Sequence, residues 1–211
     1  MIRRLCRLLF LVLLPAIFLN GALAGQGDLP RNSKVIFVAD GDTVQIQTGD
    51  FVRLLGIDTP EKGQEYYAMA KDYVRKAVLG KRVTLEYGPE VRDDYGRLLA
   101  YIWMDQGGER RCLNKEILNL GLAHIYFVDK REAHREEFLL AQRKAILLRR
   151  GFWKLRLVET EHYYISSGRS HVFHRPRCRW ARSIRNKNVR IFFSKEDAYL
   201  EGLSPCRSCQ P

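Results

Sequence analysis

The chain has 211 residues, of which 46% are hydrophobic and 28% are charged, and its formal net charge is +12 at pH 7. This composition excludes a disordered or fibrous protein and is sufficient to bury one or two hydrophobic cores. The strongly basic balance suits a polyanionic partner such as nucleic acid, an anionic membrane or a polysaccharide, although solubility alone would also account for it.

The first 24 residues differ from the rest of the chain. Three arginines in MIRRLCR precede the apolar run LLFLVLLPAIFL, and ALA stands directly before Gly25. This order predicts a secretory signal peptide that is cleaved after Ala24, and therefore an exported protein, periplasmic or extracellular. An uncleaved membrane anchor is the alternative, but the run is shorter than the ~20 residues that a bilayer requires. Cleavage removes three arginines and no acid, which lowers the net charge to +9, and we expect no stable membrane association afterwards.

Residues 30–157 are predicted to form a small α+β domain built on a barrel. Three runs of period two, KVIFVAD, VQIQT and FVRLLGI, predict an antiparallel meander with a tight turn at Gly49-Asp50. EYYAMAKDYVRKAVLG predicts an amphipathic helix that stops at Gly80. RVTLEY and LLAYIWM predict two more strands, and CLNKEILNLGLA and AHREEFLLAQRKAILLRRG predict two more helices.

Four carboxylates lie within 22 residues around the meander: Asp40, Asp42, Asp58 and Glu61. Each alone could belong to a solvated turn or loop. Asp42 starts one predicted strand and Asp58 ends the next, however, so the meander could bring the two together. Carboxylate oxygens and the backbone carbonyl of Thr59 are ligands suited to Ca²⁺. The cluster contains no His or Cys, which disfavours zinc there.

Two arginines, Arg53 and Arg97, point to a phosphate ligand beside this metal site. A planar guanidinium binds two phosphate oxygens at once and stays charged. Phosphodiester hydrolysis needs charge neutralisation, an activated water and help for the leaving oxygen. The remaining carboxylate, Glu61, could accept or orient the proton of the water.

These residues lie in segments that resemble the staphylococcal nuclease (thermonuclease) family across nearly all of residues 33–155. The segments are VADGDTVQI, VRLLGIDTPE, DDYGRLLAYIW and NKEILNLGLAHIY. The resemblance implies an OB-fold, which is a five-stranded barrel, with three helices. It also implies a Ca²⁺-dependent endonuclease that hydrolyses DNA and RNA at the 5′ O–P bond and leaves 3′-phosphates.

The resemblance carries roles over to matching positions. It implies three calcium ligands, namely Asp42, Asp58 and the carbonyl of Thr59. It implies three catalytic residues, namely Arg53, Glu61 and Arg97, with Asp40 supporting the metal ligands.

Some positions near the substrate depart from the family pattern. Asp94 stands where the best-known member has a lysine, although Tyr95 after it is kept. The two tyrosines that flank the nucleotide in the family align with Phe127 and Asp129, and Tyr126 is adjacent. We therefore expect Tyr95 and Tyr126 to contact nucleic acid, with an altered base preference.

Residues 160–211 are predicted to form a second, more basic module, with ten Lys and Arg against four Asp and Glu. His174-x3-Cys178 and Cys206-x2-Cys209 have spacings typical of a zinc site, and a disulfide between Cys206 and Cys209 is the alternative.

The spacing of these four residues resembles the zinc module of the Ada methyl-phosphotriester repair protein. His174 takes the place of the cysteine that accepts the methyl group there, which excludes methyl transfer. The module could bind nucleic acid through four arginines, namely Arg175, Arg177, Arg179 and Arg182, or it could act only as a stability cap with a solvated basic face.

The sequence as a whole favours an exported Ca²⁺-dependent endonuclease, which we expect to be a monomer. A non-catalytic OB-fold nucleic-acid-binding protein is the alternative, and an enzyme acting on other phosphate esters is a third possibility. A binding module would need neither Glu61 nor both arginines beside the metal acids, so the combined set favours hydrolysis.

Overall fold

The computed structural model of the protein describes residues 29–128 and 132–211. The predicted signal peptide and Asp129 lie outside the described residues. Among the described residues, no helix is both long enough and apolar enough to span a bilayer.

Eight strands lie between residues 32 and 126. They are β1 (Asn32–Val38), β2 (Thr43–Ile46), β3 (Phe51–Leu54), β4 (Gly56–Asp58), β5 (Arg82–Arg92), β6 (Leu98–Gln106), β7 (Glu109–Cys112) and β8 (His124–Tyr126). Five of them form the barrel in the order β3-β2-β1-β5-β6, and a parallel pairing of β3 with β6 closes it. The predicted α+β fold on a closed five-stranded barrel is confirmed.

The segment FVRLLGI is divided where the sequence predicted one continuous strand. Gly56 has a φ of +75°, and a Cβ there would lie 3.0 Å from the ring of Phe138. A glycine therefore permits both the turn and the close packing. The chain leaves β3 at Leu54, and β4 pairs with β8 in a separate two-stranded sheet. This break brings the side chains of Arg53 and Asp58 into contact.

Three helices accompany the barrel, as predicted: α1 (Tyr67–Val78), α2 (Leu113–Asn119) and α3 (Arg135–Leu147). The core inside the barrel is continuous with apolar side chains of all three helices. Asn114 of α2 is fully buried, accepts a hydrogen bond from the amide of Ile102 and donates to the carbonyl of Leu55. It ties α2 to the strand end that precedes Gly56.

Residues 160–211 form a smaller unit, the C-terminal module, whose strands and helices lie between residues 164 and 205. Its strands are β9 (Tyr164–Ser167), β10 (Val172–His174), β11 (Val189–Phe192) and β12 (Ser204–Pro205), and its helices are α4 (Arg179–Arg182) and α5 (Lys195–Leu200). The sheet order is β11-β9-β10-β12, and Tyr164 and Phe173 are fully buried in its core.

The module docks on α3. The side chain of Gln142 donates to the carbonyl of Tyr199, and Arg143 Nε donates to the carbonyl of Leu200 at 2.7 Å. Tyr199 also packs edge to face against Trp153, with ring centroids 5.0 Å apart. The position of the module relative to the barrel is thus fixed by buried contacts.

Candidate active site

Asp42 joins the start of β2 to the loop after β4. Its Oδ2 accepts hydrogen bonds from the amide of Thr59 at 3.0 Å and from Thr59 Oγ1 at 2.9 Å. Its Oδ1 accepts one from Thr43 Oγ1 at 3.1 Å. Both Asp42 and Thr59 are buried, and hydrogen bonding offsets the cost of removing a carboxylate from water.

Arg53 bridges the two predicted metal acids. Its Nη1 lies 3.1 Å from Asp42 Oδ2, and its Nη2 lies 2.7 Å from Asp58 Oδ1. Nη1 also donates to the carbonyls of Leu54 and Ile57. The guanidinium therefore links the backbone on both sides of the break between β3 and β4. The structure therefore brings Asp42, Arg53 and Asp58 together, as the sequence predicted.

The residues around Arg53 fit a hard divalent cation. Asp42 and Asp58 contact the Arg53 guanidinium, Asp40 Oδ1 accepts from the Asp42 amide, and all the candidate ligand atoms are oxygens. Burial first, and then the nearby charge of Asp42, raises the pKa of Asp40. A bound divalent cation would share Asp42 with Arg53, and Asp58 with Arg53 and Arg207.

Arg97 follows a tight turn and is held by Asp93. Arg97 Nη2 lies 2.7 Å from Asp93 Oδ2, and the Arg97 amide donates to Asp93 Oδ1 at 2.9 Å. Burial would raise the pKa of Asp93, but hydrogen bonds from Arg97 outweigh it and hold the pKa below its ordinary value. The pair therefore stays ionised at neutral pH. Tyr95, at the tip of this turn, is 86% exposed.

A cleft of about 460 Å³ connects these groups. Both predicted arginines and both predicted tyrosines line it: Arg53, Arg97, Tyr95 and Tyr126. Asp94, whose charge opposes phosphate binding, also lines it. The cleft thus combines guanidinium groups with the exposed ring of Tyr95 and the half-buried ring of Tyr126, and guanidinium groups with aromatic rings are the combination that single-stranded nucleic acid requires.

Glu61 lies outside this lining. It is exposed in the turn before α1, and its amide donates to Gln64 Oε1 at 2.7 Å. Its predicted part in proton transfer, like the predicted role of the Thr59 carbonyl, stays a prediction.

Three residues near the site were not predicted from sequence. Asp93 holds Arg97, His124 Nε2 lies 3.9 Å from Asp58 Oδ2, and Arg207 Nη2 lies 3.2 Å from Asp58 Oδ1. Asp93 could have been found from its spacing of four residues before Arg97. Arg207 had no such signal, because 149 residues separate it from Asp58.

The C-terminal module gathers the four predicted zinc ligands. The ligand atoms of His174, Cys178, Cys206 and Cys209 all lie within 4.8 Å of one another, and the three cysteines are free thiols. The amide of Arg175 donates to Cys209 Sγ at 3.4 Å. Burial and the neighbouring sulfurs of Cys178 and Cys206 raise the pKa of Cys209 to about 12. A bound cation would remove that repulsion, so the residues fit a tetrahedral metal ion.

The predicted basic contacts of the module differ in their surroundings. Arg175 donates to the carbonyl of Gln210 at 2.8 Å and therefore fastens the chain end. Arg177 and Arg179 are exposed, and the guanidinium of Arg179 lies 4.6 Å from the ring centroid of Trp180. Trp180 is 49% exposed.

Comparison with known proteins agrees with this architecture. The family model described as "Staphylococcal nuclease homologue" matches residues 51–155, and the model described as "Metal binding domain of Ada" matches residues 159–211.

Several relatives match the barrel domain. A thermonuclease of Staphylococcus hyicus is 32% identical over 129 residues, which cover 57% of this chain and 74% of the relative. A thermonuclease of Staphylococcus intermedius is 35% identical, covering 56% and 73%. An uncharacterized endonuclease of Escherichia coli O157:H7 is 32% identical, covering 58% and 76%. These relatives support a nuclease function, and the chain belongs to the staphylococcal nuclease family, with an Ada-type metal-binding module at its C-terminal end.

Proposed function

We propose that the protein is a Ca²⁺-dependent endonuclease that hydrolyses phosphodiester bonds of DNA and RNA at the 5′ O–P bond and leaves 3′-phosphates. One observation carries the proposal. Arg53 forms ion pairs with both Asp42 and Asp58, and Arg53 and Arg97 line the same cleft.

Each group then has a chemical task. Asp42 and Asp58, with the Thr59 carbonyl and the nearby Asp40, would hold the calcium ion, which when bound supplies positive charge against the phosphate. Arg53 and Arg97 bind the non-bridging oxygens and stabilise the charge that develops as water attacks. Asp93 fixes the direction of the Arg97 guanidinium. Glu61 accepts the proton of the attacking water.

Residues beside the reacting phosphate bind the rest of the strand. Tyr95 and Tyr126 offer ring faces for stacking, worth roughly 1–3 kcal/mol per base. In the module, Arg177 and Arg179 are the exposed cations for the phosphate backbone. The His174, Cys178, Cys206 and Cys209 cluster holds a structural zinc ion.

We further propose that the protein is exported, remains monomeric and has no stable membrane association. The pattern of the first 24 residues supports export and removal of the apolar run, whereas the monomeric state is a default expectation.

The test uses the chain from residue 25 with plasmid DNA and, separately, with single-stranded RNA. We expect fragments in the presence of calcium and none in a calcium-selective chelator, with activity restored by added calcium. Glu61→Gln should reduce kcat by about 10²-fold or more, the usual loss of a general base. Glu65→Gln, which neutralises an exposed carboxylate in the same loop, is the matched control and should retain activity.

A different result would favour the alternative function. Retarded migration of the nucleic acid without any fragments would indicate a non-catalytic binding protein. Cleavage that Glu61→Gln leaves unchanged would refute the role of Glu61 but not the nuclease function.

A further inference from the structure

Arg207 belongs to the C-terminal module, but its side chain lies in the cleft of the barrel domain. Its guanidinium Cζ lies 4.4 Å from the ring centroid of Tyr126, and its Nη2 lies 3.2 Å from Asp58 Oδ1. It lines the same cleft as Arg53 and Arg97. A residue of the C-terminal module thus lines the candidate active-site cleft of the barrel domain.

The contacts of Arg207 leave its guanidinium accessible to a ligand in the cleft. Four arginines among the described residues line the cleft: Arg53, Arg92, Arg97 and Arg207. Arg207 has the longest carboxylate contact of the four, 3.2 Å against 2.7 to 2.9 Å for the closest contacts of the others. Its side chain is also the most exposed, at 65%. An exposed ion pair is weak and is easily exchanged for a stronger partner.

Asp58 does not depend on Arg207 for its charge balance. The same Oδ1 atom already accepts from Arg53 at 2.7 Å in a far less exposed contact. A second arginine on that oxygen is therefore not needed to balance the charge of Asp58. Each additional guanidinium does, however, raise the affinity of a cleft for a polyanion.

The backbone of Arg207 is held in place by hydrogen bonds on both sides, within the group of predicted metal ligands. Arg207 stands between the ligands Cys206 and Cys209. The amide of Cys206 donates to the carbonyl of Phe173 at 3.0 Å, and the amide of Gln210 donates to the carbonyl of Cys206 at 2.8 Å. A short loop fixed at both ends, on a module fixed to α3, presents this side chain with little conformational freedom to lose on binding.

We propose that Arg207 is a substrate-binding residue, supplied by the C-terminal module, that contacts a phosphate of the nucleic-acid strand in the cleft over Tyr126. This inference rests on the proposed nuclease function. It assigns the metal-binding module a direct part in substrate affinity, besides any binding by its own surface arginines.

The experiment compares Arg207→Gln with Arg185→Gln, a matched change at an exposed arginine of the same module that lies outside the cleft lining. Binding of a fluorescein-labelled single-stranded DNA of about ten nucleotides is measured by anisotropy at several KCl concentrations, in the Glu61→Gln background. Cleavage of the same oligonucleotide is measured without that background change, with calcium present.

We expect Arg207→Gln to raise the Kd about tenfold, as for the loss of one charge-assisted contact. The slope of log Kd against log salt should fall by about 0.7, the value for one single-strand phosphate contact. In cleavage, KM should rise while kcat stays nearly constant. Arg185→Gln should change Kd by no more than about twofold, since a distant surface charge is screened.

Two results would overturn the inference. One is equal Kd values and equal salt slopes for Arg207→Gln and Arg185→Gln. The other is tighter binding by Arg207→Gln, which would make Arg207 a competitor with the substrate in the cleft. If the chain carrying Arg207 binds the oligonucleotide but never cleaves it, the nuclease proposal fails, and the binding comparison still decides the role of Arg207.

Discussion

Asp93 is proposed to serve catalysis by orienting Arg97. It accepts from the Arg97 amide and side chain, so it fixes both the turn and the direction of the guanidinium. Asp94, the next residue, is exposed and lines the cleft without contacting Arg97. The two neighbouring acids should therefore have opposite effects when neutralised.

We expect Asp93→Asn to lower kcat by roughly tenfold, because Arg97 loses the partner that orients it and one well-made charged hydrogen bond is worth about 1.5–3 kcal/mol. Asp94→Asn should instead lower KM, because it removes a charge that repels phosphate. Steady-state kinetics on one oligonucleotide checks both. A rise in KM for Asp94→Asn would contradict this account of the cleft.

The lowered pKa of Asp93 predicts its pH dependence. A depressed folded-state pKa contributes stability above the ordinary value of 3.8, and that contribution is lost as the pH falls through the lower folded-state pKa. The ion pair is therefore constant across neutral pH. We expect Asp93→Asn and its parent to have the same pH profile of kcat between pH 6 and about 8, with only the amplitude changed.

Gly41 packs so closely against its neighbours that a side chain at this position would disturb the site around Asp42. A Cβ there would lie 2.8 Å from both Ala70 Cβ and Thr59 Oγ1, and Thr59 Oγ1 is a hydrogen-bond donor to Asp42. We expect Gly41→Ala to lower the free energy of unfolding by about 1–3 kcal/mol, as for overpacking in general. Urea denaturation measures it, and Gly168→Ala, where the nearest neighbour is 3.9 Å away, is the control that should change little.

Among the elements, the regular strands and helices could be predicted and the irregular ones could not. The meander and the three helices follow from periodicity, because one face of each is buried in a continuous core. The break between β3 and β4 was missed, because the alternation in FVRLLGI continues across it. Gly56 is the only residue of this segment that indicates the break. A glycine is required there because the ring of Phe138, 82 residues later in the chain, packs against it, and the local sequence does not show this contact.

The loop between Cys206 and Cys209 links metal binding to the cleft. The double change Cys206→Ser and Cys209→Ser should abolish bound zinc, measured as metal per chain, and should weaken oligonucleotide binding about as much as Arg207→Gln does. Cys112→Ala removes a buried thiol outside the module and should leave zinc content unchanged. Unchanged metal content in the double variant would refute the zinc site.

At the scale of the whole molecule, α3 contributes to two cores. Phe138 and Ala141 belong to the barrel core, whereas Ala145 and Ile146 pack with Trp153 and with residues of α5. The docking of the module could not be predicted, because no local pattern records a contact between residues so far apart. The placement of Arg207 was missed for that reason.

Tyr199 is the residue on which the docking depends most. Its ring packs against Trp153, Phe173 and His124, at centroid distances of 5.0, 5.4 and 5.6 Å. We expect Tyr199→Ala to lower stability by roughly 3–5 kcal/mol, as for other large aromatic truncations. We also expect calorimetry to show one thermal transition for the parent chain and two for Tyr199→Ala. Tyr163→Ala, a change at a partly exposed ring, should leave one transition.

The loop that carries Arg207 also has a practical consequence for biochemistry on this enzyme. Because the proposed calcium site is lined by oxygens and the proposed zinc site by three thiols and one imidazole, a general-purpose chelator would remove ions from both sites, and loss of either ion would lower the proposed activity. Inactivation by such a reagent therefore does not by itself demonstrate that activity depends on calcium. Reagents that discriminate hard from thiophilic ions, each followed by add-back of a single metal, would assign the loss to the correct end of the chain.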